Sequence, residues 1–167
     1  MTPLIINGIE LPIRVGIVTQ SYEPITGSVK MRMHSGRGVK QTHFTKLATS
    51  ISGSGWMPNG LAAIDVSQPV DMWCIGPRAV FTTALSLTIS GQIRPDDAPW
   101  VLAKINDELV EIPSTTVGNL VTTAGHPDAT QYAYYWRPRM TLLLDPISQD
   151  LDLSTGTYSC QITGEEA

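Results

Sequence analysis

Tight-turn dipeptides set between short apolar runs constrain this chain more than any other feature. Leu4-Ile5-Ile6 and Ile9-Glu10-Leu11 flank Asn7-Gly8. Asn-Gly accepts positive φ at both central turn positions, so two residues suffice to reverse an antiparallel pair. Asn106-Asp107 separates Trp100–Ile105 from Glu108–Ile112 in the same way, and Gly118-Asn119 separates Thr115–Val117 from Leu120–Thr123. Between turns, apolar residues recur with period two. Val29, Met31 and Met33 alternate with Lys30 and Arg32, and Tyr158, Cys160 and Ile162 alternate near the C-terminus.

Further strands are expected over Ile13–Gln20, Thr42–Ile51, Met72–Ile75, Arg78–Ser90, Tyr132–Trp136 and Met140–Asp145. Thr and Ser crowd the second of these and no helical stripe runs through it, which favours strand over helix. Pro12 confines the second arm of the first hairpin to a short or edge position. A helical turn is expected only at Pro58–Ile64, and the tail Glu165-Glu166-Ala167 is expected to fray. The predicted fold is all-β. Residues 1–91 and 137–167 form an antiparallel barrel or sandwich core, and residues 92–136 form an inserted small β meander.

The charge pattern is uneven. Charged residues make up only 16% of the 167-residue chain, below the usual quarter, which points to a surface partly hidden in an assembly. From Pro24 to Ile64 there is no acid, while Lys30, Arg32, Arg37, Lys40 and Lys46 are all basic. From Pro95 onward eleven acids face only Lys104, Arg137 and Arg139. Opposite halves of this kind steer association, unless both are ordinary solvated surface. The sequence pI of about 5.2 argues against a dedicated nucleic-acid binder. Cys74 and Cys160 make no disulfide framework and read as small core residues. No basic leader precedes an apolar core and no run of about 18 apolar residues exists, so the expectation is a chain made in the cytoplasm with no membrane insertion.

No motif carries catalysis or a cofactor. The stretch SISGSGWMPNG has clustered glycines but no following lysine and no βαβ unit, so it does not cradle a phosphate. It reads as a strand ending at Ile51, a glycine-permitted reversal, and then Trp56, which either plugs a core or anchors an interface. His34 and His43 have no metal-ligand spacing and no G-x-S-x-G elbow is present. Asp96-Asp97 point to opposite faces of an extended chain and read as a polar bend rather than an acid–base pair. Catalytic, cofactor and metal sites are therefore expected to be absent. Tyr132, Tyr134 and Trp136 share one strand face, which either covers the insert's own core or forms an aromatic platform for a sugar or a partner.

Taken in order, MRMHSGRGVKQTHFTKLATSISGSGWMPNGLAAID, PVDMWCIGPRAV and INDELVEIP…QYAYYWRPRMTLLLD resemble structural proteins from the tails of tailed bacteriophages, above all distal-tail or tail-tip ring proteins. The resemblance covers about two-thirds of the chain. It implies a β-barrel or sandwich core with an inserted β domain and a non-enzymatic role in the virion tail. The expected partners are copies of itself in a ring and the neighbouring tube and hub proteins, around a channel that DNA crosses only in transit. No residue role is carried over from the family. On charge grounds the interface is expected to use Arg32, Arg37, Lys40 and Lys46, with Trp56 as an aromatic anchor. The runner-up is a carbohydrate- or receptor-binding β module of a tail tip.

Overall fold

The structure, a computed structural model, describes residues 2–12 and 15–167. Every element is a β-strand. In chain order they are β1 (Ile5–Ile6), β2 (Ile9–Glu10), β3 (Ile17–Arg32), β4 (Gly38–Gly55), β5 (Val70–Trp73), β6 (Arg78–Thr82), β7 (Ser86–Thr88) and β8 (Gln92–Ile93). There follow β9 (Trp100–Ile105), β10 (Glu108–Ile112), β11 (Ser114–Val117), β12 (Leu120–Thr123), β13 (Gln131–Trp136), β14 (Pro138–Leu144), β15 (Ser148–Asp152) and β16 (Thr157–Glu166). The fold is thus all-β and antiparallel, and no sheet closes into a barrel among the described residues. The Pro58–Ile64 stretch makes a single turn, with Ile64 N–H donating to Leu61 C=O at 3.0 Å, rather than a helix. Ile13 and Arg14, at the start of the strand expected over Ile13–Gln20, lie outside the described residues.

The chain divides into two compact units, Met1–Leu11 with Asp71–Met140 and Pro12–Val70 with Thr141–Ala167. This division runs elsewhere than the 92–136 insert drawn from sequence. Arg78–Thr82 and Ser86–Thr88, placed there with the core, pair instead with β13 and β12.

In the first unit the turn chemistry acts as its residues dictate. Asn7 (φ 49°) and Gly8 (φ 78°) join β1 to β2, and Asn106 (φ 49°) and Asp107 (φ 66°) join β9 to β10. A four-stranded sheet, β10-β9-β13-β6, and a three-stranded sheet, β11-β12-β7, share one apolar cluster. Val101 and Ala103 from one sheet and Val121 from the other meet there with Ile89 and Ile112, the arrangement of a small sandwich. Tyr134, fully buried, donates its hydroxyl to Ala84 C=O at 2.9 Å, so its one polar atom is satisfied.

A buried arginine ties the same unit together. The Arg94 side chain has no solvent exposure and forks onto Asp96 at 2.6 and 2.9 Å. Its remaining nitrogen donates to Pro3 C=O at 2.7 Å and Cys74 C=O at 3.0 Å. Asp97 pairs with Arg137 instead. The two adjacent acids, in the turn between β8 and β9, thus serve two different arginines rather than forming an acid pair.

In the second unit β4 and β16 form the centre, with β3 on the far side of β4 and both β15 and the end of β14 on β16. Ile51 pairs with Ile162, and both are buried with Leu142 and Leu144 on one face. Ser50, Ser52 and Ser54 lie on the other. Two expectations are corrected here. The strand does not end at Ile51, because Ser52–Gly55 stay laddered to β3 and β16 with no positive φ at Gly53 or Gly55. The tail is not frayed: Glu165 and Glu166 are registered to Ala48 and Leu142, and Ala167 N–H donates to Thr141 C=O at 3.0 Å. Backbone pairing on both sides of β16 overrides the acidic composition. Cys74 is buried as expected but Cys160 is only half-buried.

Candidate functional site

The longest feature of the second unit is a β-hairpin built from β3 and β4, which are 16 and 18 residues long. β16 covers β4 only from Ala48 to Gly55. From Pro24 to Arg32 and from Gly38 to Leu47 the hairpin is therefore a two-stranded arm, about 30 Å long at a strand rise of ~3.3 Å per residue. Pro24 fits because β3 is a terminal strand and needs no second ladder partner there. A bulge follows, with Gly27 opposite Phe44 and Ser28 opposite Thr42, leaving His43 as the extra residue. The Phe44 ring lies over Gly27, where a Cβ would come within 2.3 Å of it, so the missing side chain is what seats the ring.

Register sorts the arm into two faces. Lys30 stands directly opposite Lys40, with Arg32 two residues on, so one face is cationic. Met31 stands opposite Val39, and Val29 and Phe44 share that second face, which is apolar except for Gln41 opposite Val29. Met31 is 52% and Phe44 51% exposed. Two lysines directly across a strand pair repel, and a lone two-stranded ribbon is marginal in water. The arm therefore holds exposed apolar side chains on one face and unrelieved like charge on the other.

The five expected interface residues are only partly brought together. Arg32, Arg37 and Lys40 cluster at the arm's tip. Arg32 donates to Gly36 C=O at 3.3 Å, and among the described residues no ion pair engages any of the three. Lys46 is corrected: it is half-buried at the arm's base and its Nζ donates to the Ala167 oxygen, so it is committed within the chain. Trp56 is 84% exposed just past the opposite end of β4, so it plugs no core. It borders a groove of about 540 Å³ with Gly16, Ser54 and Gly55.

The aromatic platform is also corrected. Tyr132, Tyr134 and Trp136 share a face, but that face points inward and the three are 6%, 0% and 4% exposed. Burying three large rings removes far more apolar area from water than a half-open platform would, and Val121 of β12, in the other sheet, packs with Ile89 and Ile112 in the same cluster. Among the described residues no group of three His, Cys, Asp or Glu side chains could hold a metal ion. His34 and His43 are exposed on the arm, and His126 lies 3.9 Å from Asp128 in a loop.

Sequence reasoning missed β15, Ser-Gln-Asp-Leu-Asp, which is exposed throughout and pairs only with β16 among the described residues. Asp150 and Asp152 lie on one face of it, and Leu151 on the other. Asp152 also closes the following turn, accepting from Ser154 N–H at 2.8 Å, Ser154 Oγ at 2.6 Å and Thr155 Oγ1 at 2.9 Å. These donors, the Ser154 hydroxyl first, hold its carboxyl at about 2, so β15 carries a fixed negative charge.

No protein-family model matches the chain, and no curated protein sequence matches it.

Proposed function

We propose that this chain is a structural assembly subunit of a bacteriophage tail, a ring component joining tail tube to tail tip, acting by contact rather than catalysis. The observation that carries this reading is the arm. It is a roughly 30 Å two-stranded ribbon with an exposed, mainly apolar face and a cationic face whose Arg32, Arg37 and Lys40 make no ion pair among the described residues. A chain acting alone would gain nothing from holding such a surface in water. The resemblance to distal-tail and tail-tip ring proteins gives the reading its setting. The partners are copies of this chain and the adjoining tube and hub, DNA is met only in transit through the ring, and the protein resides in the virion tail. A head-to-tail contact that closes on itself makes a ring, and one that does not makes a filament.

Light scattering and negative-stain microscopy of the purified chain, alone and with tail-tube protein, test this. The expected result is closed rings of uniform copy number. A chain that remains monomeric under both conditions overturns it. The glycan- or receptor-binding alternative loses its aromatic triad to the core and is left with Trp56 and with Trp100, half-buried and stacked on Tyr135.

A further inference from the structure

Two short edges of the second unit match each other. Residues 28–32 of β3 read Ser-Val-Lys-Met-Arg and β15 reads Ser-Gln-Asp-Leu-Asp, each five residues long. Both belong to edge strands, β3 paired only with β4 and β15 only with β16 among the described residues. Each strand alternates a charged face with a less polar one, and the charges are opposite in sign. We propose that β15 of one copy adds to the arm edge of the next copy, extending its sheet through residues 28–32. The inference rests on the self-assembly proposed above and names the surfaces that make the contact.

Charge on an edge strand is commonly a guard against edge-to-edge pairing. That guard works here only for like edges. Two arms meeting edge to edge set Lys30 and Arg32 against the same cations, and two β15 strands set Asp150 and Asp152 against the same acids. An arm meeting β15 has no such conflict. The pattern therefore disfavours a symmetric dimer and admits a head-to-tail chain of subunits, which is the contact a ring needs. The match holds in either strand direction. Parallel pairing sets Lys30 against Asp150 and Arg32 against Asp152. Antiparallel pairing keeps Lys30 against Asp150 and sets Val29 against Leu151. Facing opposite charges and facing apolar side chains are the favourable cross-strand pairs, and the backbone groups of both edges gain ladder partners. The Lys30–Lys40 repulsion within the arm is relieved at the same time.

Lys30–Asp150 is the pair common to both directions, and both side chains are exposed, so reversing either leaves the fold intact. Self-association of wild type, Lys30→Asp, Asp150→Lys and the double variant is measured by sedimentation velocity, with a thermal melt of each as a check on folding. Each single reversal is expected to raise the apparent dissociation constant about tenfold or more, and the double variant to recover to within about threefold of wild type. Single reversals that assemble like wild type, or a double variant as weak as the singles, overturn this contact while leaving ring assembly standing. Weakening by Lys30→Asp alone, with Asp150→Lys neutral, overturns it as well and points to another anion on the arm, a nucleic acid included. A wild-type chain that does not self-associate at all defeats the contact and the assembly reading together.

Discussion

Replacing Arg94 by alanine is expected to cost about 2–4 kcal/mol, because a side chain with no solvent exposure is lost and carbonyls it bonds are left without their donor, while Asp96, 40% exposed, turns back to water. The loss has three parts. Asp96 is left without its fork at 2.6 and 2.9 Å, Pro3 and Cys74 lose a buried donor, and the guanidinium no longer sits 5.7 Å over the Trp73 ring. A domain of this size holds a total stability of only ~5–15 kcal/mol, so the first unit should unfold at a much lower urea concentration. Arg94→Lys should recover little, since an ammonium cannot reproduce two parallel bonds to one carboxylate. A urea midpoint for Arg94→Ala within error of wild type would contradict this account. The same pair fixes a pH response. The Arg94 hydrogen bond holds the Asp96 carboxyl below its ordinary value of 3.8. A depressed acid contributes stability that is complete above its unfolded pKa and drains away as the pH falls through that value and below. Stability should therefore hold down to about pH 4 and fall in stronger acid. The fall should be shallower in Asp96→Asn, which begins from a lower plateau.

The second large effect is expected at Tyr134. Truncation to alanine empties the centre of the sandwich cluster and should cost about 3–5 kcal/mol. Tyr134→Phe keeps the ring and loses only the 2.9 Å bond to Ala84 C=O, for about 1 kcal/mol. Tyr135 provides the contrast one residue away. It stacks on Trp100 with ring centroids 5.5 Å apart on the outer face, so its truncation should cost about 1 kcal/mol. Urea melts of the three variants give the ranking. Equal losses at Tyr134→Ala and Tyr135→Ala would mean that the inward face has been misassigned.

What could be read from the chain itself followed the local chemistry. Asn7-Gly8 and Asn106-Asp107 specify their hairpins because positive φ is decided by the residues at the turn. Spacing alone placed Tyr132, Tyr134 and Trp136 on one face. It could not say which way that face points, since spacing within one strand carries no record of which side the other sheet packs against. The long hairpin shows in the sequence only as the pieces Ile13–Gln20, Val29–Met33 and Thr42–Ile51, since Pro24, Gly27 and Gly53 are residue types that strand interiors usually avoid. Pro24 is harmless on a terminal strand, Gly27 is occupied by the Phe44 ring, and Gly53 is held by ladders on both sides. β15 reads as a polar loop and becomes a strand only because β16 offers it an edge. The run of cations from Lys30 to Lys40 was plain in the sequence. Its counterpart on Asp150 and Asp152 emerged only with the register.

The central pairing of the second unit joins Ile51 to Ile162, across the whole of the other unit's main segment. Closing so large a loop is slow, because chain entropy must be spent before any contact rewards it. The hairpins of β9–β10 and β11–β12 form from neighbouring residues and should be in place early. The order of acquisition is then set by topology. The nearer sandwich consolidates first and draws residues 70 and 141 into range. β4, paired with β3 along one edge, waits for β16 with its other edge open from Ala48 to Gly55, so the interval before that strand arrives is when a folding chain is most open to capture by a chaperone or by another nascent copy.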